Sequence, residues 1–165
     1  IVIRDERASD RAMIRRVNEA AFGGIEEADL VEALHAEGSV LLSYVADRNG
    51  EIVGHILFSR MWIDAPTASI ATVALAPMAV LPECQRQGVG TSLIPRGLNA
   101  LRNQNERIVI VVGHPTYYPR FGFSAASTRL LESPFPPEAF MALELRPGAL
   151  DGVSGRVRYP RAFKM

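Results

Sequence analysis

Apolar and polar positions change their period along this chain, and each change marks an element. Ile1 to Arg4 is a short β-branched run that reads as an edge strand. Met13, Ile14, Val17, Ala20 and Ala21 then recur at helical spacing, with Ser9-Asp10 as the expected N-cap and Gly23-Gly24 as the stop. Leu30, Val31, Leu34 and His35 repeat the pattern in a second helix that Gly38 closes. Val40 to Arg48 and Glu51 to Ile63 are strand-like, and Asn49-Gly50 between them is a strong hairpin signal because a type I′ turn needs positive φ at both positions. Asp64 to Thr67 reads as a second turn, and Ile70 to Leu81 as a third strand, which completes an antiparallel meander.

After Leu81 the pattern changes. Gln85 to Gly90 is a glycine-bearing loop, and Thr91 to Arg102 reads as a helix, although Pro95 inside it should remove one helical hydrogen bond and kink the axis. Ile108 to Val112 is an unbroken apolar run of the kind that marks a buried strand. Gly113 to Phe123 mixes aromatic and turn residues, Ser133 to Pro137 is a loop, and Phe140 to Leu145 is a late strand. No repeat, linker or low-complexity segment interrupts this order. The chain, residues 1 to 165, therefore reads as one α/β domain, an α+β sandwich with a central mixed, mostly antiparallel sheet flanked by helices.

Composition narrows the class. With 48% apolar and 22% charged residues the chain is neither disordered nor fibrous. Its 18 basic residues balance 18 acidic ones, which argues against a nucleic-acid binder held by phosphate contacts. No apolar run reaches the roughly 18 residues of a membrane span, and the charges at Arg4 to Arg7 come too early for a signal peptide. A single cysteine, Cys84, cannot form an internal disulfide, so a reducing, cytoplasmic setting is expected.

The most chemistry lies from Met78 to Ser92, where a strand runs into a two-glycine loop that opens a helix. Glycines there let backbone N–H groups approach an anion at the positive helix end, a site suited to pyrophosphate. A dinucleotide fingerprint would need glycine where Leu93 stands, and a Walker loop would need a lysine that is missing. The remaining candidates are weaker. His55 falls on one face of its strand with Val53 and Leu57, and reads either as a cleft residue or as a hydrogen-bonded sheet histidine. His114 follows the buried strand and could assist a base or simply occupy a turn. Glu83 reads as a solvated carboxylate, His35 as chemically idle, and Trp62, Phe58 and Met61 as core or interface. No His/Cys/Asp/Glu spacing suggests a metal site.

Gln85-x-x-Gly88-x-Gly90, preceded by Met78-Ala79-Val80 and Pro82, resembles the Gln/Arg-x-x-Gly-x-Gly/Ala motif of the GNAT superfamily of acyl-CoA-dependent N-acetyltransferases. Tyr117-Tyr118-Pro119-Arg120-Phe121-Gly122-Phe123 is similar to the aromatic signature that closes the superfamily's core. The resemblance implies that backbone groups of Met78, Ala79 and Val80 pair with the pantetheine arm of acetyl-CoA. It further implies that the N–H groups of Arg86, Gln87, Gly88, Val89, Gly90 and Thr91 wrap the pyrophosphate, and that Tyr118 protonates the departing thiolate unless its hydroxyl is satisfied by backbone. An asparagine common seven residues before the motif tyrosine is replaced by Val111, and a nucleophilic Cys84 would depart from direct transfer. The implied activity is transfer of acetyl from acetyl-CoA to a primary amine in a ternary complex. The alternative is a non-catalytic acyl-CoA sensor on the same fold. A homodimer is expected through Phe140 to Leu145, with neither nucleic acid nor membrane as partner.

Overall fold

The computed structural model describes residues 1–165. Its eight strands are β1 (Val2–Asp5), β2 (Val40–Arg48), β3 (Glu51–Asp64), β4 (Ser69–Val80), β5 (Ile108–Val112), β6 (Leu131–Glu132), β7 (Phe140–Glu144) and β8 (Gly155–Arg158). Its three α-helices are α1 (Arg11–Phe22), α2 (Glu26–Ala36) and α3 (Val89–Asn103). The strands form one sheet in the order β1-β2-β3-β4-β5-β7, with β8 joined to the far end of β3 and β6 to β8. All neighbours on the main path are antiparallel except β4 and β5.

The meander closes as its turn chemistry requires. Asn49 and Gly50 both take positive φ, 52° and 89°, and the Asp47 carboxylate accepts the Gly50 N–H at 2.8 Å. Alternation along β3 then sends its side chains to two helical layers. Gly54 and Phe58 face α3, where the absence of a side chain at Gly97 admits the Phe58 ring. His55 faces α1 instead, against Asn18. A core of 30 buried residues runs from α1 and α2 through the sheet to α3. A second group of 10 lies toward β5, β7 and β8.

Four sequence expectations are corrected. Asp10 stands at the N-cap position of α1, but its side chain makes no capping bond there; it closes a single 3₁₀ turn, where its carboxylate accepts the Arg7 N–H at 2.7 Å and bonds from Arg4 Nη1 and Nη2. Helix α3 begins at Val89, two residues early. Strands β6 and β8 arise where the sequence announces no element, because Gly-Arg-Val-Arg carries too little apolar pattern for a strand. Phe140, Met141, Ala142 and Leu143 are buried within the chain, so they present no apolar dimer surface.

The site follows from one feature of the sheet. β4 pairs with β3 from Ser69 to Val80, but with β5 only at Val73↔Val109 and Ala74↔Ile110. Beyond Ala74 the two parallel strands part. The β3–β4 register also shifts between Ile56↔Met78 and Phe58↔Leu75, which places Ala76 and Pro77 in a bulge where a missing N–H costs no ladder bond.

Candidate functional site

The parted strands open a cleft of about 970 Å³. One wall is Leu75 to Val80 of β4; Val112, Gly113, His114, Tyr117, Tyr118 and Arg120 form the other. Because β3 occupies only one side of β4, alternate backbone N–H and C=O groups of Met78, Ala79 and Val80 face the opening without a strand partner. An extended amide-bearing chain could add there as a strand does.

At the end of β4 the loop is shaped by local bonds. Gln85 Nε2 donates to the Val80 carbonyl at 3.1 Å and Gln87 Nε2 to the Glu83 carbonyl at 3.1 Å. Arg86 and Gly88 take positive φ, 62° and 86°. The first helical bond of α3 runs from Ser92 N–H to the Gly88 carbonyl at 3.0 Å, so the N–H groups of Val89, Gly90 and Thr91 precede the ladder as free donors at the positive helix end. A Cβ at Gly90 would stand 3.1 Å from Tyr117 Oη and 3.2 Å from Met78 Cε, so glycine keeps this mouth open. Arg86, Gly88, Val89, Gly90 and Thr91 all line the cleft; Gln87 does not, and its side chain is spent on the loop.

Opposite β4, the chain leaving β5 turns sharply. The His114 carbonyl accepts the N–H groups of Tyr117 at 3.1 Å and Tyr118 at 3.4 Å. Tyr118 lies edge-on to Tyr117 and Phe123, and its ring rests against Gly113, which has no Cβ to obstruct it. The side chain is 8% exposed, and burial, with Tyr117 beside it, pushes the phenol up to about 12. Its hydroxyl is therefore protonated at any neutral pH, and no backbone group holds it. Tyr117 reaches the other way, with Oη 3.3 Å from Thr91 Oγ1 and its ring under the Arg120 guanidinium at 4.7 Å.

The other candidates separate clearly. His114 is exposed on the cleft rim. His55 does not line the cleft: it is fully buried, with Nδ1 3.2 Å from Asn18 Nδ2 and Nε2 2.9 Å from Ser43 Oγ. Ser43 in turn donates to Glu6, which also meets His35 at 3.2 Å, so His35 belongs to this polar chain. Cys84 is a buried free thiol in the cleft lining, Glu83 is exposed, and Val111 is core. Trp62 lies between the Arg60 and Arg158 guanidiniums, far along β3 from the opening. No group of three or more His, Cys, Asp or Glu side chains is placed to hold a metal ion.

Sequence reasoning missed one wall. Ala21, Phe22, Glu27 and Leu30, from the end of α1 and the start of α2, complete the cleft. An aromatic at the end of an amphipathic helix, just before Gly23-Gly24, was the available signal; Phe22 is 46% exposed.

The cleft has counterparts among known proteins. The profile of the acetyltransferase (GNAT) domain matches residues 2–126. The uncharacterized N-acetyltransferase YjhQ of Escherichia coli K12 is 44% identical over 138 residues, which span 81% of this chain and 76% of YjhQ. The crystal structure of E. coli YhbS, a GNAT family N-acetyltransferase in complex with CoA, superposes with a TM-score of 0.90 at 32% identity, covering 99% of this chain and 92% of that one. A GNAT family acetyltransferase from Brucella melitensis in complex with acetyl-CoA gives 0.83 at 37% identity, covering 98% and 97%. The parted β4 and β5, the glycine loop opening α3 and these matches together place the chain in the GNAT family of N-acetyltransferases, and make it an acyltransferase.

Proposed function

We propose that the cleft binds acetyl-CoA and transfers its acetyl group directly to a primary amine in a ternary complex. The observation that carries this reading is the unpaired edge of β4 from Met78 to Val80, which ends at the free first-turn N–H groups of α3 and faces Tyr118. Pantetheine amides would take the β4 edge, and the pyrophosphate would take the donors of Val89, Gly90 and Thr91 with Arg86 beside them. CoA-bound relatives of the same fold support this assignment.

In the reaction the amine, as its free base, attacks the thioester carbonyl carbon. The C–N bond forms, the C–S bond breaks, and in net one proton passes from nitrogen to sulfur. An ammonium must first release a proton to solvent. Tyr118 would serve the leaving sulfur. Since a thiol titrates near 8.5, a phenol held at about 12 acts first as a hydrogen-bond donor to the sulfur as negative charge grows there; as the sulfur takes that proton, Tyr118 recovers the one that the acylated nitrogen releases. Holding both reactants in one cleft supplies proximity.

A panel of primary amines incubated with acetyl-CoA, with free thiol as the readout, tests the proposal. Amine-dependent thiol release is expected. Acetyl-CoA binding with no thiol released by any amine would instead favour the sensor. A cytoplasmic location fits the buried free thiol of Cys84. A homodimer would use neither the buried side chains of β7 nor its outer edge, where Ser124 already exchanges both backbone bonds with Ala142, and light scattering at high concentration reads the mass directly.

A further inference from the structure

The two ends of the cleft differ in chemistry. At the α3 end stand both of its arginines. Arg86 is part of the glycine loop, and Arg120 stacks on Tyr117, whose hydroxyl reaches Thr91. The opposite wall, from α1 and α2, is apolar at Ala21, Phe22 and Leu30, and carries one charged group, Glu27.

Glu27 is the only carboxylate lining the cleft. Of the other acids on α2, Asp29 meets Arg15 at 3.0 Å and Glu32 meets it at 2.8 Å, while Glu26 is exposed to solvent away from the cleft lining. Glu27 has no hydrogen bond or ion pair within the chain, although it is half-buried among apolar neighbours. A position in the first turn of α2 favours a negative charge, but Glu26 and Asp29 share that benefit from the solvent side. A half-buried carboxylate with no partner inside the chain is open to a cation that enters the cleft.

Resting on the acyl-transfer reading, we propose that Glu27 captures the ammonium of the incoming acceptor on entry, before that nitrogen gives its proton to solvent and attacks as the free base, and that the acceptor is an amine on an apolar skeleton without a neighbouring carboxylate. Phe22 and Leu30 take the skeleton. An α-amino acid is disfavoured because its carboxylate would meet the like charge of Glu27. A small polar amine offers the charge but leaves the apolar wall wet.

Three probes separate these features: 3-methylbutylamine, leucine with the same skeleton plus a carboxylate, and ethanolamine with the ammonium alone. The highest kcat/KM is expected for 3-methylbutylamine. Glu27→Gln should raise its KM at least about fivefold, leave the Kd of CoA unchanged, and shrink its advantage over leucine. A purely helix-stabilising Glu27 would lower the thermal midpoint without moving KM. An unchanged KM in Glu27→Gln, or leucine used as well as 3-methylbutylamine, overturns the inference. Calorimetry of 3-methylbutylamine against the CoA-bound protein keeps the test independent of turnover. Binding that Glu27→Gln weakens, with no acetylated product, supports the Glu27 site and refutes the acyl-transfer reading alone. Binding that Glu27→Gln leaves intact, or no binding, refutes the Glu27 site.

Discussion

His55 should make the stability of this protein fall steeply in mild acid. Asn18 Nδ2 can only donate, so Nδ1 of His55 accepts; Nε2–H then donates to Ser43 Oγ, which donates to Glu6. This pattern admits one neutral tautomer, and a second proton at Nδ1 would face the Asn18 amide N–H. Complete burial holds the imidazole down to about 4, against the opposing pull of Glu6, whose Oε1 is 4.0 Å away, and with a smaller push from His35. In the unfolded chain the same group titrates near 6.5. The depressed value means that, as pH falls below about 6.5, the unfolded state takes up a proton that the folded state refuses. Stability is thus present above that pH, and is lost progressively down to about 4. Some 2.5 pH units at about 1.4 kcal/mol each give at most about 3–4 kcal/mol, a large share of the 5–15 kcal/mol typical of a domain. Urea unfolding followed by circular dichroism between pH 4.5 and 8 measures it, with His55→Gln as reference. The substitution costs stability at every pH, but its curve should be flatter across the window. Asp10 and Asp64, whose carboxyls lie below their usual range through Arg4 and Arg158, are shared by both proteins and lose their contribution only in stronger acid. Parallel curves for the two proteins would refute the argument.

Two substitutions probe glycines with opposite surroundings. A Cβ at Gly88 meets nothing within 4 Å, so Gly88→Asp should abolish CoA binding through its charge and its strained φ of 86° rather than by collision, and calorimetry should show at least about a hundredfold weaker Kd. Gly97→Ala drives a methyl into the fully buried Phe58 ring, and should cost roughly 1–3 kcal/mol in urea unfolding with little change in CoA affinity.

Where sequence and structure agree, the signal was local. Asn49-Gly50 encoded its own turn, the apolar run from Ile108 to Val112 its own burial, and Gln85 to Gly90 its own junction of strand and helix. What escaped depends on distant partners. β8 is a strand because Trp62 to Asp64 offer it an edge, not because Gly155 to Arg158 favour one. His55 was ambiguous because only Asn18 and Ser43, 37 and 12 residues away, decide that it is buried. Glu27 looked like any first-turn acid until the parting of β4 and β5 put a cleft in front of it.

The most direct test of the acyl-transfer account is Tyr118→Phe on an amine that the wild type acetylates. The ring keeps its edge-on contacts with Tyr117 and Phe123, at centroid distances of 5.2 and 5.8 Å, and its seat against Gly113; only the hydroxyl is lost. If that hydroxyl serves the leaving sulfur, kcat should fall by roughly tenfold to a hundredfold while the Kd of acetyl-CoA stays at the wild-type value. An equal kcat in the two proteins would contradict it, leaving Tyr118 a packing residue and moving the search for the proton donor to His114 on the rim.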